Sequence, residues 1–287
     1  MKGIVVVVGV TVLIVAVATA GCLFADGVSA AQIKAYTLQS VEDVISYRYS
    51  MEMTTTTTTI TGDDGASTMT GSGTGNGAVD LVNRKLMMEM TSAGNSGGIE
   101  TESTLSYYFV DYVMYMKMDF MGTEQWIKMD FSEMDIPWNT YWKNYDQMEM
   151  LTAVLEISDV ERLDDEVVNG VDCYGLKIVP DVDRLVEILM SQLGSVTGMP
   201  QGMQLSDTVK DFTLTFWISK DTNFIMKAYE YISVDTSSFQ YSASMDMNVE
   251  VTIMFTEYND AVNIELPEDA ENAISYVDYF SSLVPTT

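Results

Sequence analysis

Met245-Asp246-Met247-Asn248-Val249-Glu250-Val251-Thr252-Ile253-Met254-Phe255-Thr256 is the stretch that decides the fold class. Apolar residues stand at 245, 247, 249, 251, 253 and 255 with polar ones between them, and only Met254 breaks the pattern. Successive side chains on a strand point to opposite faces, so alternation this regular means a strand with one dry face and one wet face. A helix would scatter the same residues around its circumference.

The pattern repeats outward from there. Val209 to Ser219, Ile225 to Val234 and Gln240 to Tyr258 read as three long strands closing the domain. Val160 to Val168 and Val171 to Ile178 flank Asn169-Gly170, the strongest two-residue hairpin signal. In the first half, Tyr47, Tyr49, Met51 and Met53 alternate with polar residues and lead into the threonine run Thr54 to Thr59, which suits an exposed strand. Leu86 to Thr91, Ile99 to Val110, Tyr112 to Met118 and Gln125 to Met129 follow at hairpin spacing, with turn signals at 61–65 and at Asn76-Gly77. Helical spacing marks Ile33–Ile45 and a stretch after Pro180 that Asp181 or Asp183 can cap, and 138–157 reads as one helix or an irregular covering segment. These readings give a mainly β (α+β) fold: about ten antiparallel strands in a strongly curved half-barrel sheet, with two or three helices against its apolar side.

The chain opens with Lys2, an apolar run from Ile4 to Ala20, and Thr19-Ala20-Gly21-Cys22. This describes a secretory signal ending in a lipobox, with Cys22 the lipidated first residue of the mature protein. The competing reading is an uncleaved membrane helix, since the run reaches the lower length limit for spanning. Either way the rest of the chain is expected outside the cell, tethered to a membrane. The expected organisation is a signal peptide over residues 1–21, a tether over 22–31, one domain over 32–275 and a C-terminal tail over 276–287.

Composition excludes several functions. Only 14 Lys and Arg stand against 42 Asp and Glu, for a net charge of −28, so nucleic acid is not expected as a partner. The chain has no histidine, which removes Ser-His-Asp and Cys-His catalysis and His-ligated zinc. No Walker, GxGxxG or GxSxG motif occurs. No catalytic residue, cofactor or metal is assigned, and the chain is expected to be a monomer and not an enzyme. With Cys22 lipidated, Cys173 is left as a buried small apolar residue without a disulfide partner. Asp63-Asp64, Asp164-Asp165 and Asp181-x-Asp183 lack the glycine and terminal glutamate of an EF-hand loop and read as solvated turns.

Methionine is the unusual residue, with 22 in the chain, many paired two apart so that they share a strand face. Thioethers fill irregular cores, and they also line pockets for variable greasy guests. Cu(I) capture is a third use of the same ligand type. The candidate ligand face is Met51, Met53, Met88, Met90, Met245, Met247, Val249 and Phe255. Tyr107, Tyr108, Tyr112 and Tyr115 offer amphipathic surface for a pocket mouth or a sheet cap.

The helix running into Ser46-Tyr47-Arg48-Tyr49-Ser50-Met51 resembles the opening of LolA/LppX/LprG-like envelope lipoproteins. Further resembling stretches are 78–86, 168–174, 216–221 and 258–267, and the resemblance, with these in order, covers nearly all of the mature chain. The resemblance implies a half-barrel whose hydrophobic cavity holds acyl chains, in a protein that carries lipid or lipoprotein and has no catalytic residues. The alternative from another class is a cell-surface interaction module with no small-molecule ligand, suggested by the acidic, threonine-rich exterior.

Overall fold

Ala243–Thr256 is one strand of a single large sheet in the computed structural model, which describes residues 27–61, 65–120, 123–133, 142, 146–181, 183–185, 209–235 and 243–283. The strands are β1 (Ser46–Thr61), β2 (Gly65–Asp80), β3 (Lys85–Ser96), β4 (Ile99–Val110), β5 (Val113–Phe120) and β6 (Thr123–Asp130). After them come β7 (Ser158–Arg162), β8 (Glu166–Val168), β9 (Val171–Pro180), β10 (Val209–Ser219), β11 (Ile225–Asp235), β12 (Ala243–Thr256) and β13 (Ile274–Ser275). The helices are α1 (Ala30–Ser40), α2 (Gln147–Glu156) and α3 (Tyr276–Leu283).

The sheet runs β13-β6-β5-β4-β3-β2-β1-β12-β11-β10-β9-β7, with β8 also on β9, and every pairing but β13/β6 is antiparallel. It is curved and unclosed, the fold expected from the alternation and from the lipoprotein resemblance. The strand number is larger than expected, at thirteen among the described residues instead of about ten. Three features account for the excess. The stretch Val160–Val168 divides into β7 and β8, both paired to β9. β13 is too short to show a period. β2 was not expected as a strand, and Asn76-Gly77, expected as a turn, lies inside it, paired with Ser50 and Tyr49.

Tight two-residue turns link the meander. Asn169 and Gly170 have φ of 50° and 82°, the left-handed pair that a type I′ hairpin needs. Gly97 and Gly98 (φ 59° and 85°) serve β3/β4, and Asp111 and Tyr112 (φ 53° and 67°) serve β4/β5.

Helices α1 and α2 lie against one face, called inner here. Ser29 caps α1 in a capping box with Gln32, and Ile33 turns into the core. Asp146 caps α2, whose Met148, Leu151, Val154 and Leu155 are buried in the same core as Tyr47, Val79, Leu86, Phe109 and Phe255. A smaller core sits on the outer face, where Ile264, Ala270 and Ala273 cover Ala78, Tyr108 and Trp126. Tyr276–Leu283, expected as tail, forms α3. Among the described residues no helix is long and apolar enough to cross a membrane. The expected lipobox at Cys22 and most of the helix expected after Pro180 lie outside the described residues.

Candidate functional site

The registers arrange the inner face in rows across the sheet. The first row, Tyr47, Val79, Leu86, Phe109 and Met114, is buried in one core with Ile33 of α1, the apolar side of α2, Phe131 and Trp142. Tyr47 anchors this end. Its hydroxyl donates to Asp146 Oδ1 at 2.8 Å, and the same oxygen accepts from Met148 N (3.0 Å) and Glu149 N (3.2 Å). Burial, then the Asp146 charge, pushes the Tyr47 phenol well up. Burial also raises the Asp146 carboxyl, while the bonds from Tyr47 and the α2 backbone pull it back.

The second row runs Phe255, Tyr49, Gly77, Met88 and Tyr107. Here the packing changes character, because β2 offers glycine at every inner position from Gly71 to Gly77. A Cβ on Gly77 would sit 2.2 Å from the Tyr49 ring, so that ring lies flat across the strand. On Gly75 and Gly73 it would meet the Met51 and Met53 methyls at 3.6 and 3.5 Å. The bare strand is therefore roofed by side chains reaching over from β1, and the thioethers are the adaptable part of that roof.

The third row is Ile253, Met51, Gly75, Met90 and Leu105, and the fourth is Leu214, Glu230, Val251, Met53, Gly73 and Ser92. Beyond them the face turns polar and small: Thr55, Gly71, Gly94 and Thr101 share a row. A hollow of about 680 Å³ lies at Thr70–Ser72, Ala93–Asn95 and Glu100–Glu102, one row from Met53. A second, of about 390 Å³, opens between α1 and α2 beside Leu38, Leu81, Met148 and Glu149.

All eight candidate residues fall on the inner face. Met51, Met53, Met88 and Met90 form one partly buried patch with Val251, beside the buried Ile253. Met245, Met247 and Val249 are also partly buried but lie farther along β12, opposite Thr59, Thr57 and Thr55. Met247 is four residues from the level of Met53, a separation of about 13 Å. Phe255 is elsewhere: fully buried, with its ring 5.7 Å from Tyr47, it belongs to the sealed core. Tyr107 faces inward, Tyr108 and Tyr115 belong to the outer-face core, and Tyr112 is an exposed turn residue.

Sequence reasoning passed over Glu230. It stands on the inner phase of β11 with Ala228, Ile232 and Val234, and its cross-strand neighbours are Leu214 and Val251. Burial alone pushes its carboxyl up. The signal was available: alternation in Ala228-Tyr229-Glu230-Tyr231-Ile232 puts the acid on the apolar side.

Comparison with known proteins gives a family and a set of faint structural likenesses. The family model described as "Family of unknown function (DUF6612)" matches residues 29–275. No curated protein matches the chain. Among solved structures, the chain is similar to the Mycobacterium tuberculosis lipoprotein LppX, with 10% identity, 81% of this chain and 98% of that one covered, and a TM-score of 0.38. A LolA superfamily protein from Nitrosomonas europaea is 9% identical over 84% of this chain and 96% of its own, with a TM-score of 0.21. A DUF1329 family protein from Desulfovibrio piger is 12% identical over 83% and 96%, with a TM-score of 0.25. Nothing about a ligand follows from likenesses this distant.

Proposed function

We propose a ligand-binding role for this chain, which belongs to the DUF6612 family: a lipoprotein tethered to the outer side of a cell membrane through Cys22 that holds a hydrophobic guest, a lipid, on the inner face of its sheet. The observation that carries the reading is the patch at Met51, Met53, Met88 and Met90. These thioethers stay partly exposed beside a strand stripped of side chains, whereas the aromatic end of the same face is sealed by helices. A folded domain with an ample core gains nothing from leaving apolar surface open next to a glycine strand. Flexible, unbranched side chains suit a guest of variable shape.

One observation favours a second reading, a surface interaction module without a small-molecule ligand. The larger hollow is lined by threonine, serine, glycine, asparagine and glutamate, a lining for polar contacts.

Native mass spectrometry on protein purified without detergent, followed by organic extraction, tests the choice. A bound mass that extracts as lipid is expected. A bare protein mass that persists after incubation with membrane lipids favours the interaction module.

A further inference from the structure

We propose that Glu230 is the polar anchor of this site, taking the hydrogen-bond-donating end, hydroxyl or ammonium, of an amphiphile whose chain lies on Met53 and Met51. The inference rests on the hydrophobic-ligand reading and narrows it to a class of ligand.

Charge placement carries it. From β10 across to β6, the registers put every charged residue on the outer face except Glu230, among the described residues. Even Lys210, whose place in β10 would turn it inward, sits at a β-bulge and pairs with Asp235 and Asp246 outside. Strand alternation asks for an apolar residue at 230, and Leu214, Val251, Ala228 and Ile232 around it are all apolar. Among the described residues Glu230 has no hydrogen-bond or ion-pair partner, and only burial acts on its carboxyl. Glu230 is half-buried there, so its carboxyl sits among apolar neighbours with little in the fold to satisfy it, and a donor arriving from outside the fold gains most at this point of the face.

Position supplies the rest. Glu230 shares a row with Val251, Met53 and Gly73, and two strand spacings, about 10 Å, separate it from Met53. An amphiphile lying over the thioethers thus reaches Glu230 with its polar end. A donor there satisfies the carboxyl, whereas a carboxylate or phosphate would meet a like charge in a poorly hydrated place.

The test is competition against a fluorescent apolar probe on the delipidated full chain, using dodecanol, dodecylamine and lauric acid, three ligands with one tail. Wild type is expected to bind the alcohol or the amine about tenfold or more tighter than the acid. That preference should collapse in Glu230→Gln and Glu230→Leu, both remaining folded by thermal unfolding. Preference for the amine alone would assign an ammonium headgroup, and preference for both would assign a general donor. If the three probes compete equally in wild type, or the variants keep the wild-type ranking, the role of Glu230 falls while the hydrophobic site stands. If no apolar probe binds wild type at all, both readings fall together.

Discussion

The ring of Tyr49 occupies the space that a side chain at Gly77 would need: a Cβ there would lie 2.2 Å from the ring and 2.4 Å from its hydroxyl oxygen. Gly77 is thus required by a neighbour's bulk and not by a turn. Gly77→Ala should destabilise the fold by about 1–3 kcal/mol, the usual range for overpacking, because Tyr49 is itself wedged beside Phe255. Gly73→Ala should leave stability within about 1 kcal/mol of wild type, since its nearest neighbours, the mobile end of Met53 and the Thr91 carbonyl oxygen, both lie at 3.5 Å, an ordinary contact. Urea midpoints of the two variants check the contrast, and an equal loss in both would contradict it.

Tyr47→Phe removes the donor to Asp146 and should cost about 1.5–3 kcal/mol, the range for a hydrogen bond to a charged group. Asp146→Ala should cost more, because α2 loses its cap and the Tyr47 hydroxyl is left buried without that acceptor. Denaturant titration of both variants, with helix content followed by circular dichroism, reads the order of the two effects.

Stability should also respond to pH through Glu230. Its carboxyl titrates above the ordinary value of 4.5, so the folded state binds that proton more tightly than the unfolded state. The associated stability is complete below that ordinary value and is lost as pH rises through the raised one. Glu230→Gln should therefore be more stable than wild type at pH 7, with the advantage shrinking toward pH 4. Melting temperatures across that range provide the measurement, and a constant offset would refute the assignment.

Met53→Asp combined with Met90→Asp places two carboxylates on the open patch and should abolish uptake of an apolar probe. Both positions are partly exposed, so the fold should survive. Retained binding by the folded double variant would remove the patch from the site.

Cys22→Ser should move the chain from the membrane fraction to the soluble one and end its labelling by fatty acid. Continued membrane retention would favour the uncleaved helix instead.

The legibility of these features in the sequence followed local chemistry. β12 was plain because its alternation is long, and the β8/β9 hairpin because Asn169 and Gly170 adopt the left-handed pair that their residue types favour. β2 was hidden, since glycine in a strand looks like punctuation until the ring or thioether lying over it is known. The shared face of the eight candidates was readable from periodicity, whereas the split between Phe255 in the core and the open methionines depends on where α2 docks. Glu230 went unread for a different reason: one acid among 42 attracts attention only once its strand's inner phase is fixed.

An open sheet has two rims, and a rim of unpaired peptide groups invites a second molecule to extend it. At one rim, β13, the Glu268–Asn272 turn and α3 lie against β6. At the other, β9 is bordered by five residues of β7 and three of β8. Each exposed border is interrupted before it can template a long ladder. A sheet that leaves part of its apolar face open is thereby protected from polymerising with its own copies.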